Sequence, residues 1–242
     1  MPDWTGYRAA LAADFALLRD AGEDPTATVP TCPGWTLDDL RRHVAHVYLH
    51  KVAGMDPAGP PETWPPDLSG EATGPLLDRS YAALTADFER LTPETATPTW
   101  YEPDQTVGFW IRRMALETAV HRADAELAAG TPVTPVGDAL ALDGADEVLR
   151  IMLAWGSVKY EEFREADLPT IEVRSGGRSW FVRPTTRGVV IDEDGEAATT
   201  VEAAPADMLM WLWRRAGDEV LTVTGDPAGV AVLRGLMKDA TE

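Results

Sequence analysis

Four stretches of the chain repeat apolar residues at the spacing of an α-helix, and glycine or proline separates them. In the first stretch, Tyr7, Leu11, Phe15 and Leu18 recur every three or four residues before Gly22. Side chains at this spacing line one face of a helix, which must be covered by another element. Four such helices with long links predict an antiparallel four-helix bundle. The predicted helices cover residues 4–21, 36–53, 76–91 and 107–129.

After Pro169 the periodicity becomes that of β-strands. Alternating segments flank the turn at residues 175–178, whose two central glycines predict a hairpin. The fold class is therefore predicted to be α plus α/β, with a helical bundle over residues 1–165 and a smaller α/β domain over residues 166–242. A helical region from about residue 138 to residue 165 joins the two. The later strands are predicted at 188–191, 199–202 and 220–223, and the later helices at 206–215 and 227–237.

Residues 54–75 carry too many prolines and glycines for regular secondary structure. We predict a loop in this stretch, packed in part by Trp64. A loop of this length is able to roof a binding site.

Composition narrows the function classes. The 242 residues are 45% hydrophobic, which is enough for a large core. A net charge of −19 opposes binding to nucleic acid or to an anionic membrane surface, and no apolar run approaches the roughly 20 residues of a membrane span. The N-terminus lacks the order of a signal peptide, so we expect a cytoplasmic protein. The single cysteine, Cys32, excludes an internal disulfide and reads as a packed residue rather than a nucleophile.

Three of the four histidines lie between Thr31 and His50. Thr36 is a favourable N-cap, so a helix is predicted to begin there. His43 then lies on or beside the apolar stripe of that helix, and His46 shares its side. A histidine on an apolar face is more often a hydrogen-bonded core residue than a metal ligand, so this helix alone does not establish a metal site.

Glu117 and His121 lie four residues apart in the fourth predicted helix, so their side chains can converge. The simpler interpretation is a Glu–His hydrogen bond inside the bundle. If His43 faces them, the three residues supply two nitrogens and one oxygen, a set that suits zinc or another divalent metal with one coordination position open.

The element Cys32-Pro-Gly-Trp-Thr, His43 eight residues after Trp35, and Glu117-x-x-x-His121-x-x-Asp124 resemble the mycothiol-dependent maleylpyruvate isomerase family of DinB-like metalloproteins. The resemblance implies a DinB-like four-helix bundle in which His43, Glu117 and His121 bind a divalent metal, usually zinc. It also implies a thiol cosubstrate, mycothiol, that ligates the metal.

The resemblance extends to the C-terminal part, where residues 206–215 and 224–227 are similar to the smaller, sterol-carrier-like α/β domain of these proteins. Arg214 and Arg215 lie where the family's carboxylate-binding arginine is expected, and we take them as catalytic candidates because the bundle itself offers few inward cations. Asp124 and His46 are candidates for binding the cofactor. Two other interpretations of Asp124 stay open: it orients His121, or it is a solvated acid. For His46 the other interpretations are a fourth metal ligand and a side chain that is merely packed or hydrated.

The predicted function is therefore a zinc-dependent enzyme that uses a low-molecular-weight thiol for isomerisation or thiol transfer on a small electrophilic, carboxylate-bearing substrate. Its partners are small molecules, with no nucleic acid or membrane, and the chain is expected to be a monomer or small homo-oligomer. Two alternatives stay open: a metal-binding protein without catalysis, and a hydrolase that uses metal-bound water. Metal content tests the first alternative, and turnover without thiol tests the second.

Overall fold

The chain divides into two compact units, a helical unit of residues 2–134 and an α/β unit that begins at Pro135. The computed structural model describes residues 1–56, 58–59, 63, 65–159 and 168–241. None of the helices in this described part combines the length and apolar character that a membrane span requires.

The helical unit contains four long helices, as the apolar periodicity predicts. Helix α1 packs against α4, and α2 packs against both α3 and α4. The stripe of α1 is buried, with Tyr7 and Leu11 each 1% exposed. The helices are α1 (Trp4–Asp20), α2 (Leu37–Met55), α3 (Thr73–Arg90) and α4 (Val107–Ala128).

Threonine caps set the starting points of the two helices that carry the predicted ligands. The Thr36 hydroxyl accepts a hydrogen bond from the backbone N–H of Asp39, whose carboxylate accepts one from the N–H of Thr36 in return. Thr106 caps α4 in a similar way by accepting from the N–H of Phe109. These bonds satisfy backbone donors that a helix start leaves unpaired, and they define where each later side chain lies on its helix.

Helix α4 lies at the centre of the unit and is buried on nearly all sides. It carries charged groups into this interior, and Arg122 is fully buried. Its guanidinium donates to Asp14 at 3.0 Å and to Glu126 at 2.7 Å, so the buried charge is paired.

The α/β unit contains a five-stranded sheet in the order β3-β2-β1-β4-β5. Neighbouring strands are antiparallel except β1 and β4, which are parallel. The predicted hairpin joins β1 and β2, and its glycines Gly176 and Gly177 have φ of 53° and 77°, as a type I′ turn requires. The strands are β1 (Ile171–Ser175), β2 (Arg178–Thr185), β3 (Gly188–Asp192), β4 (Thr199–Glu202) and β5 (Thr222–Gly225).

Helices precede and follow this sheet. Before it, α5 continues through a π-helical segment into α6. Helix α7 lies between β4 and β5, and α8 follows β5. Trp211 of α7 and Leu233 of α8 are both fully buried. The helical elements are α5 (Asp138–Glu147), the π-helical segment (Val148–Trp155), α6 (Gly156–Lys159), α7 (Pro205–Leu212) and α8 (Ala228–Ala240).

The helical stretch before the sheet belongs to the α/β unit. Asp146 of α5 accepts hydrogen bonds from the indole of Trp180 and the guanidinium of Arg178, and Ser157 Oγ accepts one from the backbone N–H of Val189. The compact units therefore divide between residues 134 and 135, whereas the sequence places the boundary at residue 165. Residue 165 lies outside the described residues, as does Trp64 of the predicted loop packing.

Helix α7 is shorter than the sequence predicts, because it ends at Leu212 rather than at Arg215. Arg214 follows it with a φ of 64°, a left-handed conformation that closes the helix. The N–H of Arg215 donates to the carbonyl of Met210 at 2.7 Å, which completes this closure.

Candidate metal centre

His43 of α2 meets Glu117 and His121 of α4 inside the helical unit. Glu117 Oε1 lies 3.3 Å from His121 Nε2 and 3.6 Å from His43 Nε2. One ligand atom from each residue lies within 4.8 Å of the other two. Two imidazole nitrogens and one carboxylate oxygen at this separation fit zinc or another divalent first-row metal.

Glu117 is held in its ionised form. Burial by itself raises the pKa of this carboxyl, but Arg113 and the two histidines outweigh burial and hold the pKa well below its usual range. Arg113 lies one helical turn before Glu117, is 7% exposed, and donates to Glu117 Oε2. Because the arginine uses one carboxylate oxygen, the other oxygen is the one that faces the histidines.

Asp124 holds the opposite side of the His121 ring. Its Oδ2 lies 2.9 Å from His121 Nδ1 and 3.7 Å from Cys32 Sγ, and its Oδ1 accepts from the Thr31 hydroxyl at 2.5 Å. Asp124 is fully buried, which excludes the solvated acid considered from the sequence. With both oxygens engaged, it is placed to orient His121.

Two carboxylates therefore flank His121. Burial by itself lowers the pKa of this imidazole, but the charge of Glu117 and the hydrogen bond that His121 donates to Asp124 raise it to about 9. Without a metal, His121 is thus protonated at neutral pH. A metal ion must displace that proton, because it binds the neutral imidazole.

His43 is the most accessible member of the three. Its side chain is 36% exposed, compared with 11% for His121 and 13% for Glu117. The ring of Trp35 lies 4.9 Å away between centroids and supports it. The centre is therefore enclosed on the α4 side and reachable at His43.

A cavity of about 400 Å³ is lined by the next turns of α2. Its polar walls are His46, His50 and Lys51, and Pro65 and Pro66 of the proline-rich loop form part of the lining. His46 and His50 are exposed, and neither belongs to the group of His43, Glu117 and His121 whose ligand atoms converge. The loop prediction is consistent with this position, since two of its prolines border the cavity.

Lys51 is a buried cation that the sequence analysis did not single out. It is 9% exposed, its Nζ lies 2.9 Å from His50 Nδ1, and it lies 4.5 Å from the ring centroid of Trp110. Burial lowers the pKa of Lys51 to about 8, against the opposing effect of Glu117.

The expectation of few inward cations in the bundle is therefore wrong. Arg113, Arg122 and Lys51 are each at least nine-tenths buried in the helical unit. The sequence did contain a signal for Arg113, because it lies four residues before Glu117, the spacing at which two side chains on a helix can pair. Lys51 had no such partner on its own helix, so only the packing of α2 against α4 reveals it.

The two arginine candidates lie at the end of α7 in the α/β unit. Arg214 is exposed. The guanidinium of Arg215 donates to the carbonyl of Trp213 at 2.7 Å, and its central carbon lies 6.0 Å from the ring centroid of the same residue. The two adjacent arginines thus differ in exposure.

The fold and the site together define a class of protein. In this class, a helical unit brings two histidines and a glutamate together, and an α/β unit follows it along the chain. The model of the mycothiol maleylpyruvate isomerase N-terminal domain matches residues 7–126, and that of the MDMPI C-terminal domain matches residues 139–231. The chain belongs to the mycothiol-dependent maleylpyruvate isomerase family, as the sequence motifs predict.

Solved structures agree with this fold. The crystal structure of the mycothiol-dependent maleylpyruvate isomerase has a TM-score of 0.65 at 13% identity, over 92% of this chain and 93% of that one. A histidine-to-alanine mutant of the mycothiol-dependent maleylpyruvate isomerase has a TM-score of 0.61 at 14% identity, over 91% of each chain. No curated protein matches the chain.

Proposed function

We propose that this protein is a zinc-dependent, thiol-dependent isomerase that acts on a small electrophile with mycothiol as cosubstrate. The observation that supports this most directly is the convergence of His43, Glu117 and His121 in a chain of this family. The alternative of a purely structural Glu–His pair does not account for His43, which approaches the same carboxylate oxygen from another helix.

His43, Glu117 and His121 are the residues that would hold the metal. When bound, a divalent metal of this kind lowers the pKa of a thiol, so that the nucleophilic thiolate is available at neutral pH. Asp124 keeps the Nδ1 proton of His121 in place, so that Nε2 is directed towards Glu117. Arg113 keeps Glu117 ionised.

In an isomerisation of this type, the thiolate sulfur adds to an activated cis double bond and breaks its π bond. The adduct then rotates about the resulting single bond. Elimination restores the double bond in the trans geometry and returns the thiol, so no oxidant or reductant is consumed. The accessible side of the centre at His43 is where a thiol and its electrophile can enter.

Arg214 and Arg215 remain proposed carboxylate-binding residues on the resemblance of their position to that of the family's arginine alone, because the helical unit also contains buried cations. A guanidinium binds a carboxylate through two parallel hydrogen bonds, which orients as well as attracts. Separate substitution of each arginine by alanine distinguishes them, since loss confined to carboxylate-bearing substrates identifies the residue that grips the acid.

The test is a turnover measurement with zinc-loaded protein, mycothiol and maleylpyruvate, followed by identification of the product. We expect trans product only when both metal and thiol are present. His43→Ala and His121→Ala are expected to be inactive, and Lys238→Met, which changes an exposed residue of the α/β unit, is the control that should stay active.

A released thiol adduct would instead identify a transferase. Turnover without thiol would favour the hydrolase alternative. A protein that binds metal and catalyses neither reaction with a panel of electrophiles would contradict the proposal.

A further inference from the structure

We propose that the cavity beside Lys51 binds a carboxylate group of the substrate, with the Lys51 ammonium as its cationic anchor. The cavity of about 400 Å³ falls within the size range of small-molecule sites. It has one buried cation in its wall and two histidines beside it, His46 and His50.

The surroundings of Lys51 favour an anionic ligand. Within the described part of the chain, no carboxylate lies within ion-pair distance of its ammonium, which contacts the neutral acceptor His50 Nδ1 and the face of Trp110. A buried charge without a counter-ion is costly, and the lowered pKa of Lys51 reflects this cost. A carboxylate in the cavity would supply the missing charge.

The cavity lies along α2 beyond the turn that carries His43. His46, in its wall, lies one helical turn after His43, and Lys51 is within electrostatic range of Glu117 and Arg113. The helical rise places the Cα atoms of His43 and Lys51 about 12 Å apart, and long helical side chains lean back towards the N-terminus, which shortens the gap between their heads. A small molecule can therefore span both sites.

This inference rests on the proposed function for the identity of the ligand as a substrate. It then specifies the substrate class: a small organic acid whose carboxylate lies several bonds from the electrophilic carbon. In a chain with a net charge of −19, a local cation is needed to attract such an acid.

The experiment measures binding directly, without thiol and without turnover. The chain has three lysines, Lys51, Lys159 and Lys238, so selective ¹³C-lysine labelling gives a simple spectrum. Succinate is titrated into the protein as purified and again after chelation, with the neutral analogue succinamide as the ligand control. We expect a saturable shift of the Lys51 Cε resonance with succinate only, and no shift at the other two lysines.

Variants separate charge from packing. Lys51→Met is expected to weaken succinate binding at least tenfold, and Lys51→Arg to keep it within about threefold because the charge remains. Lys238→Met removes an exposed lysine in the α/β unit and should bind as the unmodified chain does. If Lys51→Met does not fold, the lysine resonance and the arginine variant still decide the question.

An unshifted Lys51 resonance would overturn the proposal, as would equal binding by Lys51→Met. Succinate binding that appears only with metal present and persists in Lys51→Met would assign the carboxylate to the metal centre and would also overturn it. Because thiol is absent throughout, binding at Lys51 can be established even if the isomerase activity is not found.

Discussion

His121 Nδ1 lies 2.9 Å from Asp124 Oδ2, one turn further along α4. In the neutral imidazole that binds a metal, this bond keeps the proton on Nδ1, and it leaves His121 Nε2 facing Glu117 at 3.3 Å. A metal-binding histidine is usually held in this way by a carboxylate behind it. The candidate ligand is thus oriented by its own helix.

We expect Asp124→Asn to lower zinc affinity about 10- to 100-fold without unfolding the protein, because the amide lacks the charge that strengthens His121 as a ligand. The measurement is a competition titration with a zinc chelator. Thr31→Ala, which removes one hydrogen bond to Asp124 and keeps the carboxylate, is the matched control and should have a smaller effect. An unchanged affinity in Asp124→Asn would show that the orienting bond is unimportant.

Removal of either histidine ligand is expected to abolish stoichiometric zinc binding. His43→Ala and His121→Ala each leave two protein ligands, fewer than the three typical of a catalytic zinc site. His46→Ala should retain most of the metal, since His46 is exposed outside the cluster. Metal content of protein purified without an affinity tag checks this, and full retention by His121→Ala would contradict the ligand assignment.

Zinc affinity should rise with pH up to about 9. The metal-free His121 has its pKa raised to about 9, so below that pH zinc must displace a proton and its apparent affinity falls by up to tenfold per unit. Titrations at pH 6, 7 and 8 test the slope. A flat profile across this range would mean that His121 is already neutral in the metal-free protein.

Lys51→Met is expected to stabilise the protein at pH 7. Burial lowers the pKa of Lys51 from 10.5 to about 8, so between these values the unfolded chain binds more protons than the folded one. Stability then rises with pH across this window, and the full penalty, about 3 kcal/mol at most, is present below pH 8.

The methionine variant removes that penalty, offset in part by the lost contacts to His50 and Trp110. We expect a gain of about 1–2 kcal/mol at pH 7 that disappears near pH 10.5, measured by urea unfolding across this range. Lys238→Met is the control. A gain that does not change with pH would indicate a packing effect instead.

Chelation should leave the protein folded. The buried apolar core of the helical unit forms without the candidate ligands, unlike that of a zinc finger, so circular dichroism should retain the helical signal after metal removal. Loss of that signal would show that the metal is structural.

The sequence by itself determined what depends on neighbours along the chain. Thr36 and Asp39 predict the start of α2, and Gly176 and Gly177 predict a hairpin. Both predictions succeed because capping and turn formation depend on interactions within a few residues. The pairing of Glu117 with His121 follows from helical geometry alone. The change from helical to strand periodicity likewise gave the fold class.

Tertiary structure decided which helix faces meet. The approach of His43 to Glu117, and the burial of Asp124 beside Thr31 and Cys32 some 90 residues earlier, depend on how α2 and its preceding turn pack against α4.

The same packing buries Lys51 beside Trp110 and places it in the wall of a cavity. Nothing in the sequence around Lys51 distinguishes it from a lysine on the surface. Local periodicity reports that a helix has an apolar face. The rotation and axial shift of one helix against another follow from the fit of many distant side chains, and no segment of the sequence specifies that fit alone.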